Sequence, residues 1–381
     1  MKKLLWKPST VSWQVHLVIA IVAVISLVIV ESFKVTVRQP YYKEKIRAAK
    51  YMLQGMDILK QHRVQNIGPI NKTIDPQRSG LIGVLSSPIT STTVDIDSKL
   101  ISINPNWAAV IVSMLKEAKV KNNSTVAVSF TGSFPAMNLA VLSAAKSMNL
   151  QLIIITTTAS STWGANIPRF TWLDMEQVLN AKQFCTYKTV AASLGGVQDN
   201  ALGMSEQGKR ILRDTILKYN ITLLEFDNMK KNIDTRMDIY HDKAKDTQIA
   251  AYINVGGGTV AVGSFIGKMR YKPGLNMKPP YKALRIDSVM SRFGNDRTPI
   301  LNINYVKTLA KNFNLPDWQK KIPKIGEGET FNRREYNKPL VIIILLFLIL
   351  FMYLFMKMGI GDRIFVLQKK SIKVKSPEHM V

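Results

Sequence analysis

Hydrophobic positions fall along this chain in three patterns. At each end lies an unbroken apolar run, residues 11–30 and residues 339–355, the second without any charge. A helix needs about 20 apolar residues to cross a bilayer, or slightly fewer where flanking side chains snorkel. The later run, LVIIILLFLILFMYLF, has no polar stripe, whereas a core helix of a globular domain normally keeps one. Between the runs, residues 41–61 (YYKEKIRAAKYMLQGMDILKQ) place Ile46, Ala49, Leu53 and Met56 at helical spacing. This predicts a stalk or packing helix just above a membrane. QNIGPINKTIDPQRSG then interrupts the pattern with Gly, Pro and Asn and reads as a linker.

From Leu81 onward, short apolar runs alternate with helical patterns. LIGVL, STVAVSF, LQLIIITT, ITLLEF and QIAAYINV are the predicted strands. Between them come NWAAVIVSMLKEAK, opened by Asn104 as cap and Pro105 at the first helical position, and FPAMNLAVLSAAKSM. TWLDMEQVLNAK follows, with Thr171 and Asp174 spaced as a capping box, then a helix over 205–219 and a charged helix reaching about Asp246. Continuous apolar strands separated by helices predict an α/β fold, a mostly parallel sheet covered by helices on both faces. With the terminal runs, the expected fold class is that domain flanked by one N-terminal and one C-terminal transmembrane helix. The expected boundaries are a cytoplasmic tail at 1–10, a signal-anchor span at 11–31 and a stalk helix with linker at 32–80. An α/β core follows at 81–262, then a basic irregular region and tether at 263–337, a second span at 338–357 and a basic cytoplasmic tail at 358–381.

Charge sets the expected orientation. Lys2, Lys3 and Lys7 precede the first run; Lys357, Arg363, Lys369, Lys370, Lys373 and Lys375 follow the second. Short basic flanks stay in the cytoplasm, so two spans leave residues 32–337 outside the cell membrane. Val30-Glu31-Ser32-Phe33 lacks the small-x-small pattern of a cleaved signal peptide, which favours an uncleaved anchor. Residues 32–337 hold 42 Lys and Arg against 23 Asp and Glu, a net of +19 within a chain of net +26. Lys268, Arg270, Lys272, Lys278, Lys282 and Arg285 lead the excess and are the expected contacts for an anionic polymer. Nucleic acid, the usual partner of a basic chain, fits an external domain poorly and is not expected.

Other chemistry is narrowed by scarcity. A single cysteine, Cys185, excludes an internal disulfide, and four histidines at 16, 62, 241 and 379 argue against a histidine metal cluster or a Ser-His pair. No metal or cofactor is expected. Three polar knots, however, follow predicted strands, where parallel α/β sheets bind ligands. The first is Ser129-x-Thr131-Gly132-Ser133, entering a helix whose dipole and free N–H groups favour an anion. The second is the hydroxyl-rich loop 156–166, with Ser161 and Asn166 as candidates. The third is Asn254-Val255-Gly256-Gly257-Gly258-Thr259, where glycines allow close backbone approach. No strict motif is present. Gly263–Met269 (GSFIGKM) is one residue short of a Walker A loop, G-x-G-x-x-G is missing, and Gly203-Met-Ser205-Glu-Gln-Gly208 has the wrong spacing for a nucleophile elbow. Ser133 as a nucleophile would need a base, a lysine or a carboxylate such as Asp174 or Glu176.

Several segments resemble one family. SSPITSTT, SKLISINPNWAAVIVSMLKEA, GSFPAMNLAV, ASSTWGANIPRFTWLDME, AASLGG and INVGGG, between about residues 86 and 258, are similar to the poly-gamma-glutamate system protein family, as is the two-span layout. That family is a membrane component associated with bacterial poly-gamma-glutamate synthesis. Lys119 and Asn123 depart from it, at positions where relatives are expected to carry glycine. The resemblance implies a process and partners, namely the synthase membrane subunits, the anionic polymer and the bilayer, but supplies no catalytic residues. At fold level alone, VAVSFTGSFPAMNLAV followed by LQLIIIT also resembles phosphosugar-binding isomerase domains. The leading expectation is an accessory protein whose basic external domain binds or guides the polymer. A hydrolase or amidotransferase that trims or releases the polymer and a scaffold of the synthase complex are the alternatives.

Overall fold

The computed structural model describes residues 13–318 and 320–357. The chain forms two compact units, residues 38–332 and a second made from both ends of the chain. From the N-terminus come α1 (Trp13–Ser32), β1 (Val35–Arg38), α2 (Tyr42–Asn66), α3 (Ile96–Ser102) and α4 (Trp107–Glu117). The central stretch supplies β2 (Thr125–Thr131), α5 (Pro135–Met148), β3 (Gln151–Thr157), α6 (Trp172–Ala181), β4 (Thr189–Ser193), α7 (Glu206–Lys218), β5 (Thr222–Leu224), α8 (Met229–Ala244) and β6 (Ile249–Val255). The remainder is α9 (Thr259–Val262), α10 (Ser264–Arg270), β7 (Gly274–Asn276), α11 (Tyr281–Leu284), α12 (Val289–Asn295), β8 (Ile300–Ile303), α13 (Val306–Asn312), β9 (Asn332–Glu335) and α14 (Lys338–Lys357).

In the larger unit seven strands form one sheet in the order β5-β4-β3-β2-β6-β8-β7. All neighbours are parallel except the edge strand β7, which runs antiparallel to β8. This is the predicted α/β class with a mostly parallel sheet. Strand pleating sends alternate side chains to opposite faces. Val126, Val128 and Phe130 of β2 join Ile154, Ile253 and Val255 in a core under α2, α4, α5 and α6. Ala127, Ile153, Ile155 and Tyr252 point the other way, into a core with Ile233 and Tyr240 of α8 and Phe293 of α12. Both faces are covered, which is why these strands read as continuous apolar runs.

Local signals hold where they involve capping. Thr171 and Asp174 make the predicted capping box, and Ser205 caps α7 through the Gly208 N–H. Asn104 accepts the Asn106 N–H at 3.0 Å, but the first turn is 3₁₀-like, so the α-helix proper begins at Trp107. Lys119 and Asn123 both take left-handed backbone, φ 62 and 64, the conformation that glycine adopts at least cost.

Other expectations are corrected. α2, predicted as a stalk or packing helix, is a packing helix: it belongs to the larger unit and packs on α4, α5 and α6. Its buried face is Ala48, Ala49, Met52, Met56 and Leu59, while Ile46 and Leu53 of the predicted stripe are only half-buried, because three helices and not one line its inner side. LIGVL is not a strand: Leu81, Ile82 and Gly83 are buried but Leu85 is exposed, and its backbone pairs with the 160s loop, Gly83 N–H to Trp163 O and Trp163 N–H to Val84 O. The region from 263 onward is not irregular. It contains β8, inside the sheet beside β6, together with α10, α12 and α13. Four-residue β8 is too short to stand out among its polar neighbours, and β4 (TVAAS) is hidden by its alanines.

The end-derived unit holds α1, α14 and most of the two-stranded pair β1-β9. Within α14, Lys338–Phe355 has a mean hydropathy of 2.7 over 18 residues and is long and apolar enough to cross a membrane. Among the described residues it alone meets that measure; the apolar part of α1, His16–Ser32, is shorter. The expected tails at 1–10 and 358–381 and the start of the first expected span lie outside the described residues.

Deep in the larger unit, Arg236 of α8 and Asp199 of the loop after β4 are each 1% exposed and meet at 2.6 Å. Ser193 donates to Asp199 at 2.8 Å, and Asn232 bridges both partners. Removing one member of such a pair strands a buried charge. Asp199→Ala is therefore expected to lower stability by about 3–5 kcal/mol in urea unfolding. Glu206→Ala, which breaks an exposed pair with Lys209, should leave the urea midpoint nearly unchanged.

Candidate functional site

The sheet order places a switch point between β2 and β6. From β2 the chain proceeds outward through β3, β4 and β5, then returns to add β6 and β8 on the other side. Loops leaving β2 and β6 therefore diverge, and the crevice at their carboxyl ends is where an open α/β sheet binds ligands. A cavity of about 370 Å³ lies there. That size suits a small ligand or a short stretch of polymer.

All three predicted knots reach this edge, but only part of each lines the cavity. Ser133, Ser161, Gly257 and Gly258 do, together with Lys268. The loops are pressed together by glycines. A Cβ on Gly256, which sits at φ 85, would come within 2.3 Å of Thr131 Cγ2; one on Gly164 would meet the Ser133 carbonyl oxygen at 2.7 Å. The other candidates hold the architecture. Ser129 is buried between Tyr252, whose hydroxyl donates to it at 2.7 Å, and Tyr240 at 3.1 Å. Thr131 Oγ1 accepts the Ser133 N–H, and Gly132 O accepts the Ala165 N–H. Asn166 clips the 80s strand-like segment, accepting from Val84 N–H and donating to Val84 O and Thr90. Asn254 donates to Gly256 O at 2.8 Å and shapes the third loop.

The carboxylates considered as bases for Ser133 serve elsewhere. Asp174 caps α6 and accepts from the Tyr219 hydroxyl. Glu176 is fully buried and accepts from Thr189 N–H and Oγ1, each at 2.8 Å. The cation that does approach Ser133 is Lys99, a residue the apolar pattern of IDSKLIS did not single out. Its side chain is 1% exposed and donates to the Ser133 carbonyl oxygen; its Nζ is 2.8 Å from Ser161 Oγ and 3.7 Å from the centre of the Phe134 ring. Ser161 N–H in turn donates to Ser133 Oγ at 3.0 Å. Burial, aided by repulsion from Lys268, pulls the Lys99 ammonium down to about 7.

Further cavity residues were also missed: Asn304, Tyr305, Phe265, Ser91 and Thr92. Asn304 is 4% exposed; its Oδ1 accepts the Tyr305 N–H, and its Nδ2 has no partner. Lys268 lies 4.9 Å from the Tyr305 ring with its pKa lowered by burial, and no carboxylate pairs with it among the described residues. Lys268 and Asn304 thus line a cavity without a countercharge, and the buried Lys99 stands behind Ser161. Of the remaining basic candidates, Arg270, Lys272, Lys278, Lys282 and Arg285 are exposed on the surface and do not line the cavity. Among the described residues no three His, Cys, Asp or Glu side chains group as metal ligands. Comparison with protein-family models, with curated proteins and with solved structures finds no match to this chain.

The Lys99 titration has a sign that can be measured. Above pH 7 the folded chain holds Lys99 neutral, while the unfolded chain keeps its proton up to about pH 10. The unfolded state then binds more protons, so this residue makes stability rise with pH across that window, and below pH 7 the burial cost is present in full. Replacing it by Met removes the titration. The stability of Lys99→Met relative to wild type should fall by about 1.4 kcal/mol per pH unit between pH 7 and 10, read from urea midpoints.

Proposed function

We propose that this protein is a membrane-anchored accessory component of poly-gamma-glutamate synthesis or export, whose α/β domain binds the anionic polymer at the switch-point cavity. The observation that carries the reading is the cavity's electrostatic imbalance. Lys268 and the unpartnered Asn304 Nδ2 present donors without an opposing carboxylate, as recognition of a carboxylate oxygen requires. The N-terminus of α5, at Phe134-Pro135 with no capping side chain, adds a favourable field for the same anion. Exposed Arg270, Lys272, Lys278, Lys282 and Arg285 supply a longer-range attraction for a polyanion. The particular polymer is suggested by the sequence resemblance, from SSPITSTT to INVGGG, and the synthase membrane subunits are the partners that resemblance implies.

Anchoring follows the same logic. α14 supplies one span by length and composition, and α1 is proposed as the second, with the basic flanks keeping both termini cytoplasmic and residues 32–337 outside. Reporter fusions at either terminus should be active only in the cytoplasm; an external terminus would reverse the assigned orientation.

Binding is tested with the full chain in detergent or nanodiscs. Affinity for poly-gamma-glutamate should exceed that for neutral dextran and weaken as salt rises. Lys268→Ala should weaken it by about tenfold and Asn304→Asp by at least as much, since the latter turns a donor into a repelling charge. Equal affinity for dextran, or no salt dependence, would sink the polyanion reading.

A further inference from the structure

Ser161 and Lys99 come from separate parts of the chain and meet only through the fold. Ser161 sits in the loop beyond β3; Lys99 reaches it from α3. Both are at most 2% exposed, yet Ser161 lines the cavity while its hydroxyl contacts the buried amine. The amine is held on three sides: by the Ser133 carbonyl, by the Phe134 ring at 3.7 Å and by Ser161 Oγ at 2.8 Å. Ser161 itself is fixed through its own N–H, bonded to Ser133 Oγ at 3.0 Å. A lysine buried for structural reasons alone normally pairs with a carboxylate. Lys99 has none among the described residues, and the charge that acts on it is another cation, Lys268.

We propose that Ser161 and Lys99 form a nucleophile–base pair that hydrolyses amide bonds of an acidic polyamide bound in the cavity. The choice of an acidic substrate rests on the binding function proposed above; the pair itself does not. In the acylation step, Lys99 Nζ takes the Ser161 Oγ proton as Oγ bonds to the carbonyl carbon. The C–N bond then breaks, and the leaving nitrogen departs with that proton. Water next attacks the acyl carbon, giving one proton to Lys99; the bond from that carbon to Oγ breaks, and Lys99 returns the proton to Oγ. Each cycle consumes one water and releases one carboxylic acid and one amine, which at neutral pH are present as carboxylate and ammonium. Activation of serine by an adjacent base is a general route to a competent nucleophile. Desolvation keeps a large fraction of the amine unprotonated at neutral pH, where an ordinary lysine would be almost wholly charged.

The full chain in detergent is treated with p-nitrophenyl acetate, and the acetylated site is located by peptide mass mapping. We expect acetyl on Ser161, formed at a rate that rises with a midpoint near pH 7, and lost in Ser161→Ala. Lys99→Met should slow acetylation by about 10²-fold or more with no midpoint remaining. If Ser161→Ala does not fold, Ser161→Cys should instead carry a thioester. Acetyl on Ser133 or on surface lysines with none on Ser161, or a Ser161 rate indifferent to Lys99→Met, overturns the pair. The same preparations are incubated with poly-gamma-glutamate and chain length is followed by size exclusion. Acetylation of Ser161 without polymer binding overturns only the substrate assignment; polymer binding without acetylation overturns only the catalytic one.

Discussion

A parallel strand covered on both faces leaves its polar groups one place to go, the end of the strand. That constraint organises this molecule. β2, β3 and β6 are mainly apolar because helices lie on both sides of the sheet, and their buried polar residues Ser129, Thr156 and Asn254 fall near the carboxyl ends. Hydroxyls, amides and glycines gather beyond Thr131, Thr157 and Val255, where the backbone leaves the sheet. As these three strands are neighbours in space, their polar exits form one edge. The chain reversal between β2 and β6 opens that edge into a cavity instead of filling it with a crossover helix.

Within the edge, desolvation sorts the polar groups. Most are satisfied by one another: Asn166 with Val84 and Thr90, Thr131 with Ser133, Ser129 with two tyrosines. These bonds make the loops stiff, and glycines let them touch. What is left unsatisfied is small and specific. Asn304 keeps an unused donor, Thr158 Oγ1 and Asn254 Oδ1 have no partner, Lys268 lacks a carboxylate, and Lys99 is held in a dry environment that lowers its proton affinity. A stiff frame around a few uncompensated groups is the arrangement expected of a preorganised ligand site. The buried Arg236–Asp199 network beside β4 has the opposite character, every charge matched and hydrogen-bonded, and belongs to the scaffold.

How far the sequence spoke depends on how local each signal was. Runs such as STVAVSF and QIAAYINV declare buried strands because their period and length need no partner to be read. Thr171 with Asp174 and Ser205 declare helix starts for the same reason: donor and acceptor are three residues apart. β4 and β8 were not legible, since TVAAS and ILNI owe their strand state to neighbours supplied by β3 and β6. The α2 face was displaced because its burial is set by α4, α5 and α6 together, not by its own periodicity.

The site divides along the same line. The sequence by itself determined the α/β class, the apolar C-terminal run, the excess of positive charge and the polar character of three strand exits, including Ser133, Ser161, Gly257 and Gly258. Each of these is a property of consecutive residues. Tertiary structure decided which of those exits face a cavity, that Ser129, Asn166 and Asn254 serve the frame, and that Lys99 and Asn304 join from α3 and from beyond β8. A lysine in IDSKLIS reads as a surface charge until the fold brings Ser161, 62 positions further along the chain, to its amine. Proximity between distant segments and the withdrawal of water from between them are properties of the packed molecule, and no local pattern encodes them.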